Sequence, residues 1–528
     1  MARSFLAAAA ALAAVAVSST TVAAQTGMTA SLSAAGGQYV LDALIPILVA
    51  KIDKIVIPDI SGEKDGFDYS LSGFTCTGFT IGAGALTMSP ADGLQVDLAN
   101  LGISCAGSWS FKLSIWPHIP DGSGTVTGSM SGTTAALGLD ITTAAGGHAQ
   151  LAPNNVNLNI GSFSLDFHGS LWDWLLDLFK GLIEDAATSA ITSAFKSAIT
   201  DFITNDANPA LAAIAMELPL HLPAPYDIVE VRFGLTANPT FTSTYMGVAL
   251  QGDVVPIANP VSPPITPPAL PPFNAATAAY YLQLQLSSYT FMSALYDYDA
   301  AGLLFWALPS TKIPLGFNDT SAYSLVAPGL PAAYPHDPVA INIAFSAMPT
   351  LDLSPAGINI TAPLLMQFLV TAANGTTATA FTLGALTTLT ADLVIGPDST
   401  GATALKGSLS YLGAQLSVVN STVGTVASGL LQTLVDMTFT GVVVPLVNSI
   451  FANGIPLPSV DGLTLTNTSL TYGAEFFTLA SDFTFAPNFT AATAHSYFAQ
   501  RDGSVLVRPA GATTAAPRAH LRHPHRKH

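Results

Sequence analysis

Residues 170–205 read SLWDWLLDLFKGLIEDAATSAITSAFKSAITDFITN. Trp172, Leu175, Phe179, Leu182, Ala186, Ala190, Ala194, Phe195, Ile199 and Phe202 recur every three or four positions, the spacing that lays side chains along one face of an α-helix. Asp173, Asp177 and Asp185 are interleaved with that stripe. At 1.5 Å per residue the helix reaches about 54 Å, far beyond the usual globular helix.

Working upstream, strand-like alternation runs from about Asp68 to Phe167, broken by Gly-rich turns such as Pro120-Asp121-Gly122-Ser123-Gly124. Before it, Gln38 to Ile57 carries Tyr39, Leu41, Leu44, Ile45, Ile47, Leu48, Ile52 and Ile55, a helical spacing with a strand-like end. Downstream, Pro256 to Pro272 includes Pro260, Pro263, Pro264, Pro267, Pro268 and Pro271, a stiff, extended spacer. The order of elements then repeats. A short helical segment at about Phe291–Leu304 and alternation through Leu412 lead to a second long apolar helix at about Val418–Asn453. In each half the short helical segment precedes the long helix by about 130 residues, which marks an internal duplication.

The N-terminus carries Arg3, an apolar run from Phe5 to Val17 and the small residues Val22-Ala23-Ala24, the pattern of a secretory signal peptide cleaved after Ala24. The expected organisation is a signal peptide at 1–24, a first domain at 25–255, the linker at 256–272, a second domain at 273–490 and a basic, His-rich tail at 491–528. Half of the residues are hydrophobic and 9% are charged, yet Pro, Asn, Gly and Thr interrupt each later apolar run, so no clean membrane span is expected. Such a surplus of apolar residues fits either a large β core or an interior lipid cavity. The net charge of −17 argues against nucleic acid as a partner, since its phosphates need basic groups.

Cys76 and Cys105 are the two cysteines, and the turn Ser89-Pro90-Ala91-Asp92-Gly93 between them folds a hairpin that brings them nearly opposite, so one disulfide is expected. No metal-ligand cluster accompanies them. Asn-x-Ser/Thr sequons begin at Asn318, Asn359, Asn374, Asn420, Asn467 and Asn488, all in the second half.

Several segments resemble the bactericidal/permeability-increasing and lipopolysaccharide-binding protein family, whose relatives include the plasma lipid-transfer proteins. Pro46 to Ile52 followed by Ile55-Val56-Ile57-Pro58-Asp59-Ile60-Ser61-Gly62 is similar to the family's opening helix and first strand. Trp109, Trp116 and the following Gly-rich turn resemble its Trp-containing strand. Leu286-Ser287-Ser288-Tyr289-Thr290-Phe291 with Ala300-Ala301-Gly302-Leu303-Leu304 is similar to the start of its second domain. Gly454-Ile455-Pro456-Leu457-Pro458 and Asp482-Phe483-Thr484-Phe485 resemble its closing strand.

The resemblance implies an α+β fold: two tandem β-barrel plus long-helix domains in a boomerang, joined by a central sheet and the Pro-rich linker. It also implies that each domain holds lipid acyl chains between barrel and helix. Two departures stand out. The family's usual disulfide reaches its long helix, whereas neither cysteine here lies near one. The basic tips of members that act on Gram-negative bacteria are missing, since Gln25–Leu250 holds 7 Lys/Arg against 20 Asp/Glu, a balance of −13.

The expected ligand is phospholipid or lipopolysaccharide, met at a membrane or lipid-particle surface. The expected contacts are Leu44, Ile47 and Leu48 with Trp172, Leu175, Phe179 and Leu182, because acyl chains need an apolar, water-free wall and no polar motif. Ordinary core packing would produce the same pattern. Trp109 and Trp116 fit either the barrel or a headgroup interface. The terminal Arg518–His528 segment fits a solvated tail, an anionic surface or a metal.

No Gly-x-Ser-x-Gly, His-Glu-x-x-His or phosphate-cradling Gly-Lys-Ser/Thr motif occurs, so neither catalysis nor a cofactor is expected. A secreted structural or adhesive glycoprotein that keeps this fold is the alternative.

Overall fold

The computed structural model of the chain describes residues 25–485, apart from residues 53, 65, 114–120, 170–172, 274–278, 315, 400, 402, 451 and 458–462. Strand β1 (Met28–Ser33) leads into helix α1 (Ala34–Lys51), whose N-cap Ser33 accepts a hydrogen bond from the Gly36 N–H at 3.1 Å. Eight strands follow: β2 (Lys54–Val56), β3 (Ile60–Lys64), β4 (Phe67–Thr80), β5 (Ala83–Ser89), β6 (Gly93–Leu113), β7 (Gly122–Thr143), β8 (Ala149–Asn159) and β9 (Ser162–Gly169). They form one antiparallel sheet around the path β2-β4-β6-β7-β8, with β3 on β4, β5 on β6 and β9 on β7.

Strand β4 shows how its sequence bends the sheet. Its inward residues Leu71, Phe74, Cys76 and Phe79 are spaced three, two and three apart, so strict alternation would turn some of them to solvent. The ladder with β6 shifts register between Ser72 and Thr75 and again between Thr77 and Thr80. Gly73 (φ +61°) and Gly78 (φ +70°) occupy those bulges in the left-handed region, and each bulge absorbs the extra residue. All four side chains are thereby buried, and Cys76 pairs directly with Cys105 of β6 to form the expected disulfide.

The long helix α2 (Asp173–Phe202) continues through one π turn (Ile203–Ala207) into α3 (Asn208–Ala212), overshooting its expected end at Asn205. A small sheet then appears that no periodicity announced: β10 (Glu217–Pro219), β11 (Val229–Arg232) and β14 (Val254–Pro256), with β12 (Thr240–Phe241) and β13 (Tyr245–Leu250) between them in sequence.

The two halves share a six-stranded central sheet. Its order is β12-β13-β1-β15-β24-β23, in which β15 (Leu282–Ser287), β23 (Leu463–Tyr472) and β24 (Phe476–Phe485) come from beyond the proline-rich segment. Met28 of β1 faces Leu286 of β15, so the first described strand pairs with the strand that opens the second half.

The second half repeats the plan with α4 (Ser288–Ala300), β16 (Phe305–Leu308), the short α5 (Gly329–Ala333), β17 (Val339–Phe345), β18 (Thr350–Ser354), β19 (Gly357–Thr371), β20 (Thr377–Pro397) and β21 (Thr403–Ser421). Its helix comprises Ser428–Leu431, α6 (Gln432–Thr438), a π turn at Phe439–Val443 and α7 (Val444–Ile450), followed by β22 (Ile455–Pro456). The expected start at Val418 is corrected: Val418-Val419-Asn420-Ser421 ends β21, because β-branched residues in a ladder extend a strand as readily as an apolar run extends a helix. By length and composition Ser428–Ile450 is sufficient to cross a membrane, contrary to expectation. Its Leu431, Leu434, Val435, Phe439, Val443 and Ile450 are buried in the protein, whereas Leu430, Met437 and Leu446 are exposed.

Candidate functional site

Where β5-β6-β7-β8 lie side by side, β5 and β8 are left as edges, and edge backbone groups need partners. Helices supply them. Gln38 of α1 donates from Nε2 to the Gly84 carbonyl (2.9 Å) and accepts from the Leu86 N–H at Oε1 (2.8 Å), both on β5. On the opposite edge, Asn208 of α3 engages Leu151 of β8. The curled sheet is thus finished by two helices rather than by a strand. A Cβ at Gly84 would stand 2.8 Å from Ile45 Cδ1, so α1 sits close on β5 at this glycine.

Between these edges lies one apolar interior. From the second half of α2, Ala187, Ile191, Phe195 and Ile199, continued by Ile203, are buried against Leu71, Phe74, Phe79, Leu98, Ile103, Val126 and Met130 of the sheet. Phe79 and Phe195 pack ring to ring at 6.3 Å. This buried row repeats every four residues; it contains Phe195 and Ile199 of the expected stripe, while Ala187 and Ile191 stand one position beyond the expected Ala186 and Ala190. The sequence signal for Ile191 and Ile203, absent from that stripe, is the four-residue spacing they share with Phe195 and Ile199.

Helix α1 borders the same interior differently. From Ala43 to Ala50 every residue is apolar, yet none is fully buried. Leu44, Ile47 and Leu48 are each half-buried, and Leu48 packs against the core beside Leu41 and Val49. Apolar helices of this kind are ordinarily covered on all sides. Here protein covers them only in part.

Of the remaining expected contacts, Trp172 lies outside the described residues. Leu175, Phe179 and Leu182 fall within the first turns of α2, with side chains outside the described set. Trp109 is a barrel residue, 5% exposed, with its indole N–H donating to the Thr125 and His168 carbonyls at 3.1 and 3.3 Å. Trp116, the signal segment and the His-rich tail lie outside the described residues. Asn318, Asn359, Asn374, Asn420 and Asn467 are all exposed, and Asn488 lies outside the described residues.

A separate cleft of about 660 Å³ opens at the ends of β3, β4, β6 and β7, with Asp68, Tyr69, Phe111, Lys112 and Asp121 in its wall. One lysine against two aspartates makes this no anion trap.

The sequence profile described as "LBP / BPI / CETP family, N-terminal domain" matches residues 38–205, and that of the C-terminal domain matches residues 226–485. A bactericidal permeability-increasing protein of Sebastes schlegelii is 23% identical over 90% of this chain and 98% of its own length. A lipopolysaccharide-binding protein of Bos taurus is 22% identical over 86% of this chain and 93% of its own. A putative BPI/LBP family protein of Arabidopsis thaliana is 21% identical over 83% and 87%. The crystal structure of a lipopolysaccharide binding protein shares the fold, with a TM-score of 0.57 at 18% identity over 88% of this chain and all of that one. With both profiles matched in order on the two halves that share the central sheet, the chain belongs to the LBP/BPI/CETP family.

Proposed function

We propose that this chain is a secreted, non-catalytic lipid-binding protein that holds the acyl chains of phospholipid or lipopolysaccharide in an apolar interior. The observation that carries this reading is the half-covered run Ala43–Ala50 of α1. Apolar surface that protein leaves uncovered beside a core gains about 25 cal/mol per Å² when an acyl chain covers it. Leu44, Ile47 and Leu48 supply that surface, and Leu175, Phe179 and Leu182 of α2, with Trp172 just before it, complete the wall. We assign residues 25–255 and 273–490 as the two lipid-binding domains, on either side of the linker at 256–272. Family membership supports the same class of ligand, and relatives named for bactericidal action and for lipopolysaccharide binding point to lipid transfer or antibacterial defence.

The acidic first half shapes how lipid is met. With −13 between Gln25 and Leu250, the protein grips the hydrocarbon rather than the phosphates, at the surface of a membrane or lipid particle. Native mass spectrometry and lipid extraction of the purified full chain should find bound phospholipid, and fluorescent phospholipid should be taken up. Absence of both would sink the proposal and leave a structural glycoprotein. Titration with lipopolysaccharide and with zwitterionic vesicles at two salt concentrations should show little salt dependence for either. Binding to lipopolysaccharide that collapses at high salt would instead indicate a charge-driven grip.

A further inference from the structure

The outer face of the second half's sheet carries a hollow of about 380 Å³ with no charged residue in its wall. It lies around Gly384 of β20 and its two cross-strand partners, Leu365 of β19 and Ser417 of β21. Leu386 and Val419, 44% and 59% exposed, give it an apolar floor, while Ser346, Gln415 and Ser417 give it a polar rim.

Thr382 faces Asn420 across the same ladder, one register shift before Gly384 meets Ser417. Asn420 is exposed and opens the sequon Asn420-Ser421-Thr422. At about 3.4 Å per residue, Gly384 and Leu386 lie about 7 and 14 Å along the strand from Thr382, opposite Asn420, a span suited to the first sugars of an N-linked glycan. N-acetylglucosamine has an apolar ring face and acetyl methyl with hydroxyls at its edge, which matches an apolar floor with a polar rim.

We propose that Asn420 is glycosylated and that the N-acetylglucosamine core of its glycan lies in the hollow at Gly384, covering Leu386 and Val419. The sugar then acts as a lid over apolar surface that would otherwise face water.

The full chain, produced in a glycosylating secretory host, supplies the test. Asn374, exposed in the turn between β19 and β20, serves as reference, and its occupancy establishes passage through that host's secretory route independently of Asn420. Glycopeptide mapping should find Asn420 occupied. Under native conditions an endoglycosidase should release its glycan at least about tenfold more slowly than that of Asn374, since only the undocked fraction is cleavable. Leu386→Asp should bring the two rates together, as should denaturation of the wild-type chain. An unmodified Asn420 beside an occupied Asn374, equal native release rates, or self-association abolished by Leu386→Asp, which would make the occupant a second copy, would each overturn the proposal.

Discussion

Asn208 holds Leu151 by both of its backbone polar groups, donating from Nδ2 to the carbonyl at 2.9 Å and accepting from the N–H at Oδ1 at 2.8 Å. Asn448 does the same to Leu409 of β21, at 3.0 and 2.8 Å. In each half the asparagine follows a π turn, whose added residue rotates the next stretch of helix by about 100° relative to the turns before it. Replacing Asn208 by Leu leaves an edge N–H and carbonyl without partners and should cost about 1–3 kcal/mol in urea unfolding. Asn205→Ala, at an exposed position, should stay within about 0.5 kcal/mol. Equal midpoints for the two variants would reject the edge-closing role.

Neither asparagine was legible in the sequence, because one polar residue near the end of an apolar helix reads as a solvated side chain. What was legible depended on length and spacing. Helix α1, the long α2 and the strands from Asp68 to Phe167 carry periods that a chain reader can count. Val418-Val419 misled because a short β-branched run has no period that separates strand from helix. The sheet of β10, β11 and β14 escaped because its strands are three or four residues long. The central sheet depends on partners more than 250 residues apart, such as Met28 and Leu286, and came from the resemblance alone.

Asp297 of α4 is 6% exposed, and its Oδ2 has no hydrogen-bond partner. Burial, then the nearby Asp253, pushes its pKa from 3.8 up to about 6, against the opposing pull of Arg232. Tyr289 of the same helix joins this group, and Tyr298 brings in Tyr226 and Asp227. A carboxyl raised in the folded state lowers stability as pH climbs from about 4 through 6, because the unfolded chain ionises first. The shift is worth under about 3 kcal/mol, and solvent screening leaves on the order of 1–2 kcal/mol. Asp297→Asn should therefore be more stable than wild type at pH 7.5, with the gap closing at pH 4. A gap that stays constant across that range would refute the assignment.

Arg232 of β11 donates from Nε to Asp253 at 3.0 Å and from Nη2 to the other carboxylate oxygen and to Ser262 in the proline-rich segment. The two side chains are 13% and 4% exposed, so the pair is largely desolvated. Burial opposes the guanidinium charge, and the hydrogen bond to Asp253 helps to restore it, leaving Arg232 above its ordinary pKa. Asp253→Leu would strand a cation and should cost about 3–5 kcal/mol, whereas the double change Arg232→Met with Asp253→Leu should cost less. Chemical denaturation of the three proteins decides it, and a double variant weaker than the single one would contradict this account.

The lipid site makes a sharper demand on α1, because a half-buried apolar residue has two possible uses. If Ile47 serves folding, a charge there destabilises the protein; if it serves lipid, a charge empties the interior and leaves the fold intact. Phe195 gives the contrast, since it is buried and its change to Ala should cost about 3–5 kcal/mol. Ile47→Glu should lose at least about tenfold of its co-purified phospholipid, equivalent to about 1.4 kcal/mol in affinity, while its urea midpoint moves little. Leu44→Glu, one turn earlier, should behave in the same way. Lipid extraction and unfolding measured on the same preparations separate the outcomes, and an Ile47→Glu protein that keeps its lipid would remove α1 from the binding wall.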